Sequence, residues 1–141
     1  MSPNRWLRIS YRVGAAVDAV AAVQMLRARL FGLGMGISGS PAGEDYRYAM
    51  GMGAALMLGW TALLLWADRR PLQRRGVLLL TVVVVAGLAA NELVAVRAGF
   101  LPIAPVAAIW TLQAALIVLF LRSYVVASRG AALQAKASDP E

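Results

Sequence analysis

The sequence predicts an all-α integral membrane protein, a four-helix bundle with both termini in the cytoplasm. Three observations carry this. The chain has 141 residues, 60% of them hydrophobic and 15% charged, which is too apolar for a soluble domain of this size and fits one compact bundle. Two apolar runs, 48–67 and 76–96, each approach the roughly 20 residues that cross a bilayer core about 30 Å thick. Between them stands Asp68-Arg69-Arg70-Pro71-Leu72-Gln73-Arg74-Arg75, a short turn whose arginines, Arg69, Arg70, Arg74 and Arg75, are expected to face cytoplasmic lipid headgroups.

Residues 1–12 form an expected cytoplasmic N-terminal segment with Arg5, Arg8 and Arg12. This imitates the charged start of a secretory signal, but cleavage is not expected. Asp18 and Gln24 interrupt the apolar stretch, and Arg27-Ala28-Arg29 stands where a small-residue cleavage site belongs. The segment reads as the first span, at about 13–33.

The stretch 32–43 holds Gly32, Gly34, Gly36, Gly39 and Gly43 with Ser38, Ser40 and Pro41, and predicts an irregular loop. It lacks the preceding strand and the Lys of a phosphate-cradling loop. Glu44, Asp45, Tyr46 and Tyr48 lead into the second span, 48–67, where tyrosines suit the membrane interface. Within it Gly51, Ala55 and Gly59 recur every fourth residue. They stack on one face, predicting close approach by a helix of the bundle or of a second copy.

The third span, 77–97, is dense in β-branched residues, and its uninterrupted continuation through Ala90 marks a membrane helix rather than a buried strand. The fourth, 105–128, begins at Pro105, which suits a first helical turn. The Ala-rich polar tail, 129–141, is expected to be cytoplasmic and disordered. Basic residues concentrate on the side of the termini and the arginine turn. Only Arg27, Arg29, Arg47 and Arg97 fall opposite, so the positive-inside rule orients the chain as a multi-pass protein of the inner (plasma) membrane.

Cys and His are both absent, which removes thiol nucleophiles, disulfides, imidazole bases, Cys/His zinc sites and histidine haem ligation. Met50, Met52 and Met57 read as packing residues rather than soft-metal ligands. No cofactor or metal is expected. The net charge of +7 is placed beside the apolar runs, which points to anionic lipid rather than nucleic acid. Expected partners are the bilayer and other membrane subunits or further copies of the chain.

A carboxylate in hydrocarbon costs several kcal/mol unless neutral, paired or wet, which singles out Asp18 and Glu92. At 1.5 Å per residue they sit at different depths, about 8 Å and 22 Å from the inner ends of their spans. Depth instead matches Asp18 with Arg122 in an inner layer, Thr61 being a further candidate. It matches Glu92 with Arg29 in an outer layer, with Asn91 as a further candidate. These are either structural ion pairs or, alternatively, a proton or cation site at Asp18 or Glu92. Gln113 lies opposite Arg122 on the fourth span, need not join either layer, and could hydrogen-bond another subunit.

The segments Tyr46-Arg47-Tyr48-Ala49-Met50-Gly51 and 70–81, beginning Arg70-Pro71-Leu72-Gln73, resemble those of small prokaryotic membrane proteins of the broad DoxX-like group. The resemblance implies a four-helix bundle and, for some relatives, an accessory part in membrane redox systems. It carries no catalytic motif onto residues here. The leading expectation is a non-catalytic accessory subunit of a larger membrane assembly. The alternative is a proton- or cation-coupled transporter acting as a homo-oligomer. It is similar to small multidrug exporters in size, span number and an acid in the first helix, though their surrounding motif is not visible around Asp18. An enzyme would have to draw acid and base from separated carboxylates.

Overall fold

A computed structural model describes residues 3–37 and 43–137, excluding the side chains of 3, 28, 29, 131 and 133–137. Five helices are described: α1 (Pro3–Leu26), α2 (Ala28–Gly34), α3 (Glu44–Asp68), α4 (Gly76–Arg97) and α5 (Ile103–Ala137). All but α2 are long and apolar enough to cross a membrane. The 22 residues of α4 rise about 33 Å, the thickness of a bilayer core. The molecule is thus an all-helical bundle suited to a multi-pass membrane protein.

The central helix is α1. It packs most extensively on α3 and also on α5, while α4 packs on α5. Leu7, Tyr11, Ala15 and Ala22 recur at helical spacing and form its buried stripe. Leu7, Tyr11 and Ala15 share one core cluster with Leu64 and Ala67 of α3 and Phe120 of α5. Gly14 brings two of these neighbours close, since a Cβ there would lie 3.1 Å from both Leu64 and Phe120. Although consecutive, α3 and α4 make no extended contact. They are bridged by Trp60, whose Nε1 donates to Thr81 Oγ1 at 3.2 Å.

Both ends of the chain's described part and the arginine turn lie at the same end of the bundle, here the hairpin end. Ser10 and Ser123 hydroxyls bond at 2.7 Å between α1 and α5. Tyr11 donates to the Arg74 carbonyl at 2.9 Å, and Arg12 Nε pairs with Asp68 Oδ2 at 3.1 Å. The Arg74 guanidinium stacks 3.3 Å from the centre of the Trp66 ring and donates to the Trp66 carbonyl. At the distal end, Gly36 and Gly99 each take φ 73°. Each closes a helix by the paired bonds of a Schellman turn, Ile37 N to Gly32 O (2.9 Å) and Phe100 N to Ala95 O (3.0 Å) among them.

Several boundaries differ from the sequence reading, α3 among them, which begins at Glu44 rather than Tyr48. The first span is helical from Pro3, because Leu7 and Tyr11 extend its buried stripe toward the N-terminus. It ends at Leu26, where Arg27 (φ −100°, ψ 68°) breaks the helix before α2. The expected loop starts later, since Gly32 and Gly34 belong to α2; its residues 38–42 lie outside the described residues. The tail expected to be disordered continues α5 through Ala137, consistent with alanine being the strongest helix former. Residues 138–141 lie outside the description.

Candidate intramembrane polar site

The most deeply buried polar contact toward the distal end joins α4 to α5. Glu92 and Gln113 are each only 8% exposed, and Gln113 Nε2 donates to Glu92 Oε1 at 3.1 Å. The Trp110 indole, one turn earlier on α5, faces the same carboxyl. It does so outside hydrogen-bonding geometry, so its Nε1 is left without a partner. Glu92 Oε2 and Gln113 Oε1 are also buried without partners. Interhelical hydrogen bonds in membranes contribute about 0.6 to 2 kcal/mol. One such bond does not offset an uncompensated carboxylate, so this carboxyl requires a proton or a positive group.

A groove of about 360 Å³ opens on the outer side of this contact. Ala89, Ala90 and Leu93 line it from α4, and Trp110, Gln113 and Ala114 line it from α5. The alanines keep the helix surfaces low, and Gln113 places one polar side chain in an otherwise apolar wall. Gln113 therefore stands between the groove and Glu92.

No family model, curated protein or solved structure matches the chain. The chemistry of the arrangement follows from its own groups. Among the described residues no cluster of Asp and Glu could hold a metal. A single carboxyl flanked by an amide can bind a proton or a monovalent cationic group.

The expected inner layer is not assembled. Asp18 is half-buried on α1 with Oδ2 unpartnered, while Arg122 is exposed and stacks 4.9 Å over the Trp6 ring. Equal depth fixes height but not direction. The fully buried neighbour Ser123 faces Ser10, which turns Arg122 about 100° away from the interior. Thr61 returns its hydroxyl to the Met57 carbonyl at 2.9 Å. In the outer layer, Asn91 is exposed and does not join Glu92. The side chain of Arg29, and with it the expected Glu92–Arg29 pair, lies outside the described residues, although its helix α2 packs on α1 and α3.

Gly51, Ala55 and Gly59 do not pack within the bundle. All three are exposed, and a Cβ at Gly51 or Gly59 would meet nothing within 4 Å. The inner face of α3 is instead the one carrying Gly53, Ala54, Leu64 and Ala67. A Cβ on Gly53 would lie 3.1 Å from Met25 Sδ. Of the turn arginines, Arg69 and Arg70 are exposed and Arg75 half-buried. Gln113, set outside both layers by its direction relative to Arg122, is instead the partner of Glu92. Arg122 itself faces outward, so the face opposite it points into the bundle, and Glu92 and Gln113 both lie within about 15 Å of the distal ends of their helices.

Proposed function

We propose that the protein is a non-catalytic subunit of a larger membrane assembly, with a transmembrane helix of a different protein seated on the Gly51, Ala55 and Gly59 face of α3. The observation that carries this is the outward turn of that face. Small residues let a second backbone approach closely enough for van der Waals contact that lipid matches poorly. Glycine in a helix interior also costs up to about 1 kcal/mol relative to alanine, and no contact inside this chain offsets it. A different protein is favoured over a second copy by charge. A parallel self-pair along α3 would bring Arg69 and Arg70 of both copies together, and like charges there repel.

The chain has no cysteine, so one placed by Ala55→Cys or Gly59→Cys carries a photoreactive label uniquely. In native membranes both labels are expected to cross-link to the same distinct membrane protein, whereas labels at Val83 and Val118, 68% and 64% exposed on other helices, are not. Ala55→Leu should then release the chain from that assembly. An adduct of two copies of this chain would make the assembly homo-oligomeric, and retention after Ala55→Leu would remove the face from the interface.

A second reading rests on a separate observation, the unpartnered Oε2 of Glu92. Here the carboxyl serves as the proton or cation site of a small transporter. Glu92 is preferred to Asp18 because a groove opens beside its partner Gln113. In proteoliposomes under an imposed proton gradient, wild-type protein should dissipate the gradient and Glu92→Gln should not. Equal rates in both would end this reading.

A further inference from the structure

Resting on the Glu92 reading, we infer that the α4–α5 groove binds a lipid-soluble primary amine. Its alkyl chain lies along Ala89, Leu93 and Ala114, and its ammonium group is held by Gln113 and Glu92. The unpartnered atoms select this chemistry. Glu92 Oε2 and Gln113 Oε1 are two acceptors, one of them on a carboxyl, and both residues are more than nine-tenths buried. The Trp110 Nε1–H, also unpartnered, faces that carboxyl but brings no positive charge to neutralise it. A primary ammonium offers three N–H donors and a compact positive charge. It therefore fills both acceptors and neutralises the carboxylate in one step. An alcohol supplies one donor and no charge, and a fatty acid brings a like charge.

Gln113 has the right polarity to connect the groove with the carboxyl. Its Nε2 already donates to Glu92 Oε1, which leaves Oε1, at the other end of the amide, to accept from an ammonium group entering from the groove. Trp110 lines the same groove, and its ring offers a cation–π face. No described arginine pairs with Glu92: the ion pairs among the described residues are Arg12–Asp68 and Arg47–Glu44, while Arg122 stacks on Trp6 and Arg74 on Trp66. The groove opens on an apolar surface, so its ligand arrives by partitioning through the bilayer.

The test uses the full chain in nanodiscs and a brominated ten-carbon primary amine, with the matching brominated alcohol as control. Bromine quenches nearby indoles, and the wild-type signal minus that of Trp110→Phe isolates Trp110. Saturable quenching by the amine is expected, at least about tenfold tighter than by the alcohol, with Glu92→Gln and Gln113→Leu each removing that preference. Asp18→Asn and Arg29→Gln should leave it intact. Equal binding of amine and alcohol to wild-type protein overturns the proposal, and this arm needs no variant to fold. Amine binding that appears only in Arg29→Gln also overturns it, by showing that Arg29 occupies the carboxyl. If the amine fails to bind while Glu92→Gln still abolishes proton flux, the ligand class is wrong and the Glu92 reading stands. If both fail, both are wrong.

Discussion

At the scale of single residues, the distal turn offers a controlled comparison. Gly36 and Gly99 share φ 73°, but a Cβ on Gly36 would lie 2.7 Å from Pro102 Cγ and 2.8 Å from Pro105 Cγ, whereas one on Gly99 would meet nothing within 4 Å. Gly99→Ala therefore incurs only the left-handed penalty, about 1 to 2 kcal/mol. Gly36→Ala adds a clash with two rigid rings and should be clearly more destabilising in detergent melts; equal losses would mean that the prolines yield. The Glu92–Gln113 contact gives a second prediction. Gln113→Leu leaves the carboxyl with no partner and should destabilise by about 1 to 3 kcal/mol. The double variant Glu92→Leu, Gln113→Leu should recover most of that loss, because a buried polar pair replaced on both sides is nearly neutral. A double variant as unstable as the single would show that the contact shapes the helix packing itself. Glu92 was legible as an outlier in hydrocarbon and Gln113 as a polar residue of the fourth span, but their pairing was not, because sequence spacing gives the direction of Gln113 only against Arg122, which itself faces outward.

At the scale of helices, the two glycine faces of α3 should respond oppositely to the same side chain. Gly53→Leu drives a branched chain into Met25 at the α1–α3 contact and should cost about 1 to 3 kcal/mol, the range of overpacked cores. Gly59→Leu enters open space and should leave the isolated bundle as stable as before, or slightly more so. If Gly59→Leu destabilises purified monomer as much as Gly53→Leu, the described orientation of α3 is wrong. The apolar runs between charges made the existence of four spans legible. The direction each helix faces was not. In lipid a polar–apolar period barely exists, so the four-residue recurrence of Gly51, Ala55 and Gly59 identified a distinctive stripe without saying whether it faces inward or outward. The extent of α1 was obscured for a related reason. Arg5, Arg8 and Arg12 read as a flanking segment, while Leu7 and Tyr11 between them supply buried contacts.

At the scale of the whole molecule, orientation and architecture can be tested together. Contacts between Ser10 and Ser123, and between Tyr11 and Arg74, gather the start of α1, the arginine turn and α5 at one end of the bundle. That end carries Arg5, Arg8, Arg12, Arg69, Arg70, Arg74, Arg75, Arg122 and Arg129. The opposite end carries Arg27, Arg29, Arg47 and Arg97. Some of this charge is already engaged, Arg12 by Asp68 and Arg74 by Trp66, but Arg69 and Arg70 remain exposed for headgroups. The positive-inside rule then predicts a cytoplasmic hairpin end. Single cysteines from Ser2→Cys, Gln73→Cys and Ser138→Cys should resist an impermeant thiol reagent in intact cells, and Ser40→Cys should react. The full reverse pattern would keep the bundle and invert its orientation. Labelling of Gln73→Cys with protection of Ser2→Cys would be incompatible with the Tyr11 and Arg12 contacts to the turn, and would overturn the bundle itself.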